Sequence, residues 1–197
     1  MNTYQLWSLW NELPIAPEDV LGEYPLSVAM SRGNIGGLQE GWLFGEKNGE
    51  IRLCDPQMRP FYLSGDAIPV TVQSVPMVSG DEVLTEGHIV TLPDRDVSVA
   101  VTPLLSGCTI GIRRDGTAMF HKQPQENEDG WILQDRITTT HGGEYRCFGR
   151  NNYQRQDCTV IGINLGGWEF YSQRHKVVEI GRGQWVKRVA GVSRIGL

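Results

Sequence analysis

Residues 97–121 read Val97-Ser98-Val99-Ala100-Val101-Thr102-Pro103-Leu104-Leu105-Ser106-Gly107-Cys108-Thr109-Ile110-Gly111-Ile112-Arg113-Arg114-Asp115-Gly116-Thr117-Ala118-Met119-Phe120-His121. A β-branched run, Val97 to Val101, reads as a strand that stops at Thr102-Pro103. Ser106-Gly107 reads as a turn, and a second strand runs from Thr109 to Arg113. Asp115-Gly116 is a favoured two-residue hairpin loop, so a third strand returns through Phe120 to Lys122.

The same pattern of short Val/Ile/Thr-rich runs separated by turn residues extends through the chain. Trp42–Phe44 and Glu50–Leu53 flank Lys47-Asn48-Gly49-Glu50, a second hairpin signal. Ile68–Val75, His88–Leu92, Thr159–Leu165, Trp168–Ser172, Lys176–Ile180 and Gln184–Val189 read as further strands. Helix signals are few. Thr3–Leu13 is amphipathic, and Pro17–Gly22 has proline at the first turn, then acids, then a glycine stop. Asn127–Arg136 is a third helix. The expectation is α+β: a single domain over residues 1–197, with a mixed β-sandwich core flanked by a few short helices.

The 197 residues suffice for one domain with a sizeable core. A formal net charge of −5 argues against a general nucleic-acid binder. No apolar run approaches the ~20 residues of a membrane span, and Met1-Asn2-Thr3-Tyr4-Gln5 lacks the basic start of a classical signal peptide. The expected compartment is therefore a reducing one, with Cys54, Cys108, Cys147 and Cys158 as free thiols. Without a C-x-x-C pair, a zinc framework is not expected. Charge is uneven: residues 174–197 hold six basic side chains and one acid, against fourteen acids and five bases in residues 1–96. That basic end reads as a solvated strand face, or as a docking patch for an acidic partner.

Register places the chemistry. With Asp115-Gly116 as the loop, paired residue numbers sum to 231, so Ile110 faces His121. Cys108, two residues before Ile110, then shares the face of His121. A neighbouring imidazole can take a thiol's proton and hold the thiolate as an ion pair. Gly107 leaves room for a substrate carbonyl beside the Cys108 N–H, and Thr102 offers a hydroxyl to orient the ring. The plainer reading of Cys108 is a small buried hydrophobe. Weaker candidates are the His141…Cys147 pair, His88 heading a strand, and His175 on a solvated face between Arg174 and Lys176. Cys54 and Cys158 read as core thiols, and Asp94 and Asp96 as turn residues.

Thr102-x-x-Leu105-Ser106-Gly107-Cys108, followed by a short hairpin and Phe120-His121, resembles the signature of the cysteine-dependent protein-glutamine deamidases. That family includes the cytotoxic necrotizing factors, the Burkholderia lethal factor toxins and the bacterial chemoreceptor deamidase. The resemblance covers residues 97–121, with a fainter likeness at Gly149-Arg150-Asn151-Asn152. It implies Cys108 as nucleophile, His121 as general base and acid, Thr102 as orienting hydroxyl, and Ser106 and Gly107 at the oxyanion and substrate side. It also implies a bacterial toxin or effector, made in the bacterial cytoplasm and acting in a host or target cell. The implied substrate is a protein, of the kind of a Rho-family GTPase or a translation-initiation helicase. Two other classes stay open: another thiol enzyme, such as a protease or acyltransferase, and a non-enzymatic β-sandwich interaction module.

Overall fold

The computed structural model describes residues 1–197 except 32, 33, 35, 47, 60–64, 96, 155 and 182. Lys47, Asp96 and Arg182, which entered the sequence reading, lie outside the described residues.

The larger sheet has eight strands in the order β1-β3-β2-β4-β7-β11-β12-β13. They are β1 (Leu26–Ala29), β2 (Gly37–Gly45), β3 (Ile51–Cys54), β4 (Ala67–Ser74), β7 (Val99–Val101), β11 (Asp157–Asn164), β12 (Trp168–Gly181) and β13 (Gln184–Ile195). Two of its pairings, β1 with β3 and β4 with β7, are parallel. The smaller sheet runs β10-β8-β9-β5, with β6 also paired to β9. Its strands are β5 (Met77–Val78), β6 (Val90–Thr91), β8 (Thr109–Arg113), β9 (Ala118–Lys122) and β10 (Tyr145–Phe148). Among the described residues, four short α-helices complete the fold: α1 (Thr3–Glu12), α2 (Pro17–Glu23), α3 (Gly130–His141) and α4 (Arg150–Tyr153). The expected α+β class holds.

Alternation along the strands sorts the core into layers. Val99, Val101, Ile161 and Ile163 pack with Leu6, Leu9, Val20 and Leu21 of α1 and α2. Their neighbours Ala100 and Val160 turn to the other face and meet Ile110, Ile112 and Met119 of the smaller sheet. On the outer face of that sheet, Phe120 and Tyr145 pack under Leu133 and Ile137 of α3. Helices, larger sheet, smaller sheet and helix follow one another, and the middle two layers form the expected sandwich.

Local signals start the helices where the sequence places them. Asn2 and Gln5 form a capping box at α1, and Pro17 with Glu18 and Asp19 opens α2. Asp129 caps α3 by accepting from the Trp131 N–H, so this helix begins three residues later than expected and runs on to His141.

Several elements differ from the sequence reading. Trp168–Ser172 and Lys176–Ile180 are parts of one strand, which pairs with β13 through a register shift at Arg174/His175. His88 ends a 3₁₀ turn, Glu86–His88, rather than heading a strand. The loop between β8 and β9 is Arg114–Thr117, closed by Gly116 N–H donating to the Arg113 carbonyl, with Gly116 at φ 76°. Asp115-Gly116 lies at the centre of that four-residue loop. Two- and four-residue loops about one centre produce the same pairing, so the observed register is the expected one: Thr109 opposite Lys122 and Ile110 opposite His121.

Candidate active site

The chain leaves β7 at Val101, and Thr102 is fully buried at its end. The following loop is tied back to the larger sheet by a two-bond bridge between Leu105 and Cys158. It then crosses to the smaller sheet, and Cys108 precedes β8. Cys108 packs in the same inter-sheet core as Ile110, Ile112 and Met119. Because Ile110 pairs with His121, the thiol and the imidazole are on one face of the smaller sheet, as the register requires.

Thr102 and His121 meet across the two sheets. Thr102 Oγ1 lies 2.6 Å from His121 Nδ1 and 2.9 Å from the Pro103 carbonyl, to which it donates. A hydroxyl has one proton. Both contacts are satisfied when His121 Nδ1–H donates to Oγ1, which leaves the lone pair on Nε2. Nε2 is buried and has no hydrogen-bond partner. Burial alone pushes His121 down to about 3, so the ring is neutral. A neutral imidazole with a free Nε2 lone pair is the form that accepts a proton.

Cys108 is 4% exposed, and its sulfur lies 3.7 Å from Met77 Sδ. Burial pushes the thiol up to about 11, against smaller opposing effects of the Ser106 and Cys108 backbone N–H groups and the Lys122 charge. The expected thiolate–imidazolium pair is therefore not the resting state. Low dielectric penalises each charge, and the sulfur is not hydrogen-bonded to Nε2, so both groups rest neutral.

The backbone around Cys108 is held from two sides. Tyr153, fully buried, donates from its hydroxyl to the Cys108 carbonyl at 2.8 Å. The first turn of α3 packs on Gly107: a Cβ at Gly130 would come within 2.5 Å of the Gly107 carbonyl oxygen. Gly107 itself is open on its Cβ side, where the nearest atom, Pro124 Cγ, would be 3.7 Å away, and Ser106 is exposed. Lys122, on the opposite face of β9 from His121, is buried and donates from Nζ to the carbonyls of Ser79 and Gly80. It thereby anchors the loop that follows β5. Tyr153, Met77 and Lys122 escaped the sequence reading because none carries a local motif. The faint likeness at Gly149–Asn152 was the one nearby signal for Tyr153.

A cleft of about 730 Å³ adjoins the site. Met77, Val78, Pro103 and Gln123 form its wall toward Cys108 and His121, and His88 and Glu82 stand on its rim. His88 Nδ1 faces the Thr85 hydroxyl at 3.1 Å.

The remaining candidates separate from this site. His141 meets Phe120 and Tyr145 edge-on, while Cys147 Sγ contacts the Tyr145 carbonyl on the outer face, so the two form no dyad. His175 is 3% exposed, not solvated, and its Nε2 lies 3.0 Å from Thr159 Oγ1. Arg174 and Lys176 point to the other face of β12, so their charge says nothing about the residue between them. Cys54 and Cys158 are core thiols, as expected, and all four cysteines are free. Asp94 offers its backbone carbonyl to Asn164. Three cations of the basic end are engaged: Lys187 pairs with Glu50, Arg194 with Glu169, and Arg188 reaches the Asn48 carbonyl. Among the described residues no group of three or more His, Cys, Asp or Glu side chains is arranged to hold a metal, and no helix is long and apolar enough to cross a membrane.

No protein-family model matches the chain, and no curated protein matches it.

Proposed function

We propose that the protein is a protein-glutamine deamidase, a hydrolase acting on a side-chain amide, with Cys108 as nucleophile and His121 as general base and acid. The observation that carries this reading is the unpartnered Nε2 of His121, on the Cys108 face and with its tautomer set by Thr102.

In this mechanism the thiol proton passes to Nε2 as Sγ bonds to the glutamine carboxamide carbon. Transfer accompanies attack, since both partners rest neutral. The carbonyl oxygen becomes an oxyanion beside the Cys108 N–H and the open side of Gly107. The imidazolium returns its proton to the departing nitrogen, and ammonia leaves a thioester. Water then gives a proton to Nε2 and attacks the thioester carbon. Collapse returns that proton to sulfur and leaves glutamate. No external oxidant, metal or organic cofactor enters the balance. The resemblance at residues 97–121 suggests toxin or effector use, with a Rho-family GTPase or a translation-initiation helicase as the first substrates to try.

A second reading has its own observation. Cys108 is 4% exposed and carries a raised thiol, as a core cysteine of a β-sandwich interaction module would. Incubation with the two candidate substrate proteins, followed by peptide mass mapping, separates the readings. Conversion of a glutamine to glutamate, lost in Cys108→Ser, supports the deamidase. Cleavage of the backbone instead would make the chain a thiol protease. Unmodified substrates with folded protein favour the module.

A further inference from the structure

Met77 stands between the reactive pair and the cleft. It pairs with His121 in the parallel β5–β9 register, so both side chains take the same face as Cys108. Its thioether lies 3.7 Å from the Cys108 thiol. Yet Met77 is 42% exposed and forms part of the cleft wall. One face of a single flexible side chain thus touches the buried sulfur, and the other touches solvent. β5 is only two residues long, follows Pro76, and is secured from behind by Lys122 through the Ser79 and Gly80 carbonyls. The backbone is pinned, while the unbranched side chain has three rotatable bonds.

We infer that Met77 is the gate of this site: its side chain closes the Cys108 sulfur from the cleft, and its swing opens the sulfur to a group entering from the cleft. The location follows from the geometry. Pro103 and Gln123 flank Met77 in the wall, so the cleft reaches both the Thr102–Pro103 corner and the end of β9. The Tyr153 hydrogen bond holds the Cys108 carbonyl, so the gate opens by rotation of Met77 rather than by withdrawal of the cysteine. In the deamidase reading, the entering group is the glutamine side chain. That purpose rests on the deamidase reading, whereas the closing of the sulfur does not.

The test is site-resolved alkylation of the intact protein by iodoacetamide at one mildly alkaline pH, read by peptide mass mapping. Variants Met77→Ala and Met77→Leu are compared with the wild type. Met77→Ala is expected to raise the Cys108 rate by about tenfold or more, because reactivity of a thiol follows its access. Met77→Leu, which still covers the sulfur, stays near the wild-type rate. Cys158, fully buried elsewhere in the core, reports global loosening. Equal Cys108 rates in wild type and Met77→Ala overturn the gate, as does a rise in which Cys158 keeps pace. If the rates behave as expected while no protein glutamine is converted, the gate stands and the deamidase reading falls.

Discussion

Thr102 Oγ1, at the end of a strand of the larger sheet, lies 2.6 Å from Nδ1 of His121 on the smaller sheet. The contact joins two layers of the sandwich and sets which nitrogen of the imidazole is free.

Replacing Thr102 by valine keeps the volume and removes the acceptor. A buried N–H left without a partner costs about 1–3 kcal/mol of stability. If the protein is the proposed deamidase, misplacement of the ring lowers glutamine conversion by about 10²-fold. ¹⁵N chemical shifts of His121 check the cause: the Nδ1–H tautomer expected in the wild type gives way to a mixture in Thr102→Val. An unchanged tautomer together with wild-type kinetics removes Thr102 from the site.

Cys108→Ser is expected to fold, since the swap is nearly isosteric, and to lose glutamine conversion to background. A hydroxyl is a far weaker acid than the thiol already pushed up to about 11. Thermal unfolding and substrate mass mapping measure the two halves. Turnover in the folded serine variant eliminates Cys108 as the nucleophile.

Stability depends on pH with a definite sign. His121 is held at about 3 against an ordinary 6.5, and His175 at about 4, both chiefly by burial. Between those values and 6.5 the unfolded chain binds protons that the folded chain refuses. These histidines therefore leave stability intact above 6.5 and erode it as pH falls below. At the other end, burial holds the Cys108 thiol at about 11 against 9.0, so stability also falls as pH rises from 9 toward 11. Urea midpoints across the acid range check the first limb. His121→Asn, which cannot protonate there, has a flatter profile; a profile as steep as the wild type's shows that His121 is not a contributor.

Lys187 is a structural cation. Its Nζ lies 2.6 Å from Ser27 Oγ and 3.3 Å from Oε1 of Glu50, whose side chain is almost wholly buried. Lys187→Met removes a partner from that carboxylate and is expected to cost about 1–3 kcal/mol. Arg188→Ala, at an exposed position, stays within about 0.5 kcal/mol of the wild type. Equal denaturation midpoints for the two variants contradict the assignment.

The facing of Cys108 and His121 was legible because it depends on a loop between adjacent strands. Any even-numbered loop centred on Asp115-Gly116 aligns Ile110 with His121, so the register survives the error in loop length. His175 was misread for the opposite reason. Its charged neighbours Arg174 and Lys176 lie on the side of β12 that carries Trp168 and Phe170, whereas Tyr171 and Gln173, at the spacing of two, share the side of His175. Strands β1, β5 and β10 were passed over because each is four residues or fewer and gains its place from a partner, not from its own pattern.

By itself, the sequence determined the α+β class, the helix starts at α1 and α2, and the hairpin that puts a thiol and an imidazole on one face. These are local matters: caps, turns and a period of two act over a few residues. Tertiary structure alone decided the rest. Met77 over the sulfur, Tyr153 under the Cys108 carbonyl and Lys122 behind β5 join segments 31, 45 and 42 residues apart. The same packing buries both the thiol and the imidazole, which raises one, lowers the other and leaves both neutral. Burial belongs to the assembled layers, so no run of residues within the hairpin could have announced it.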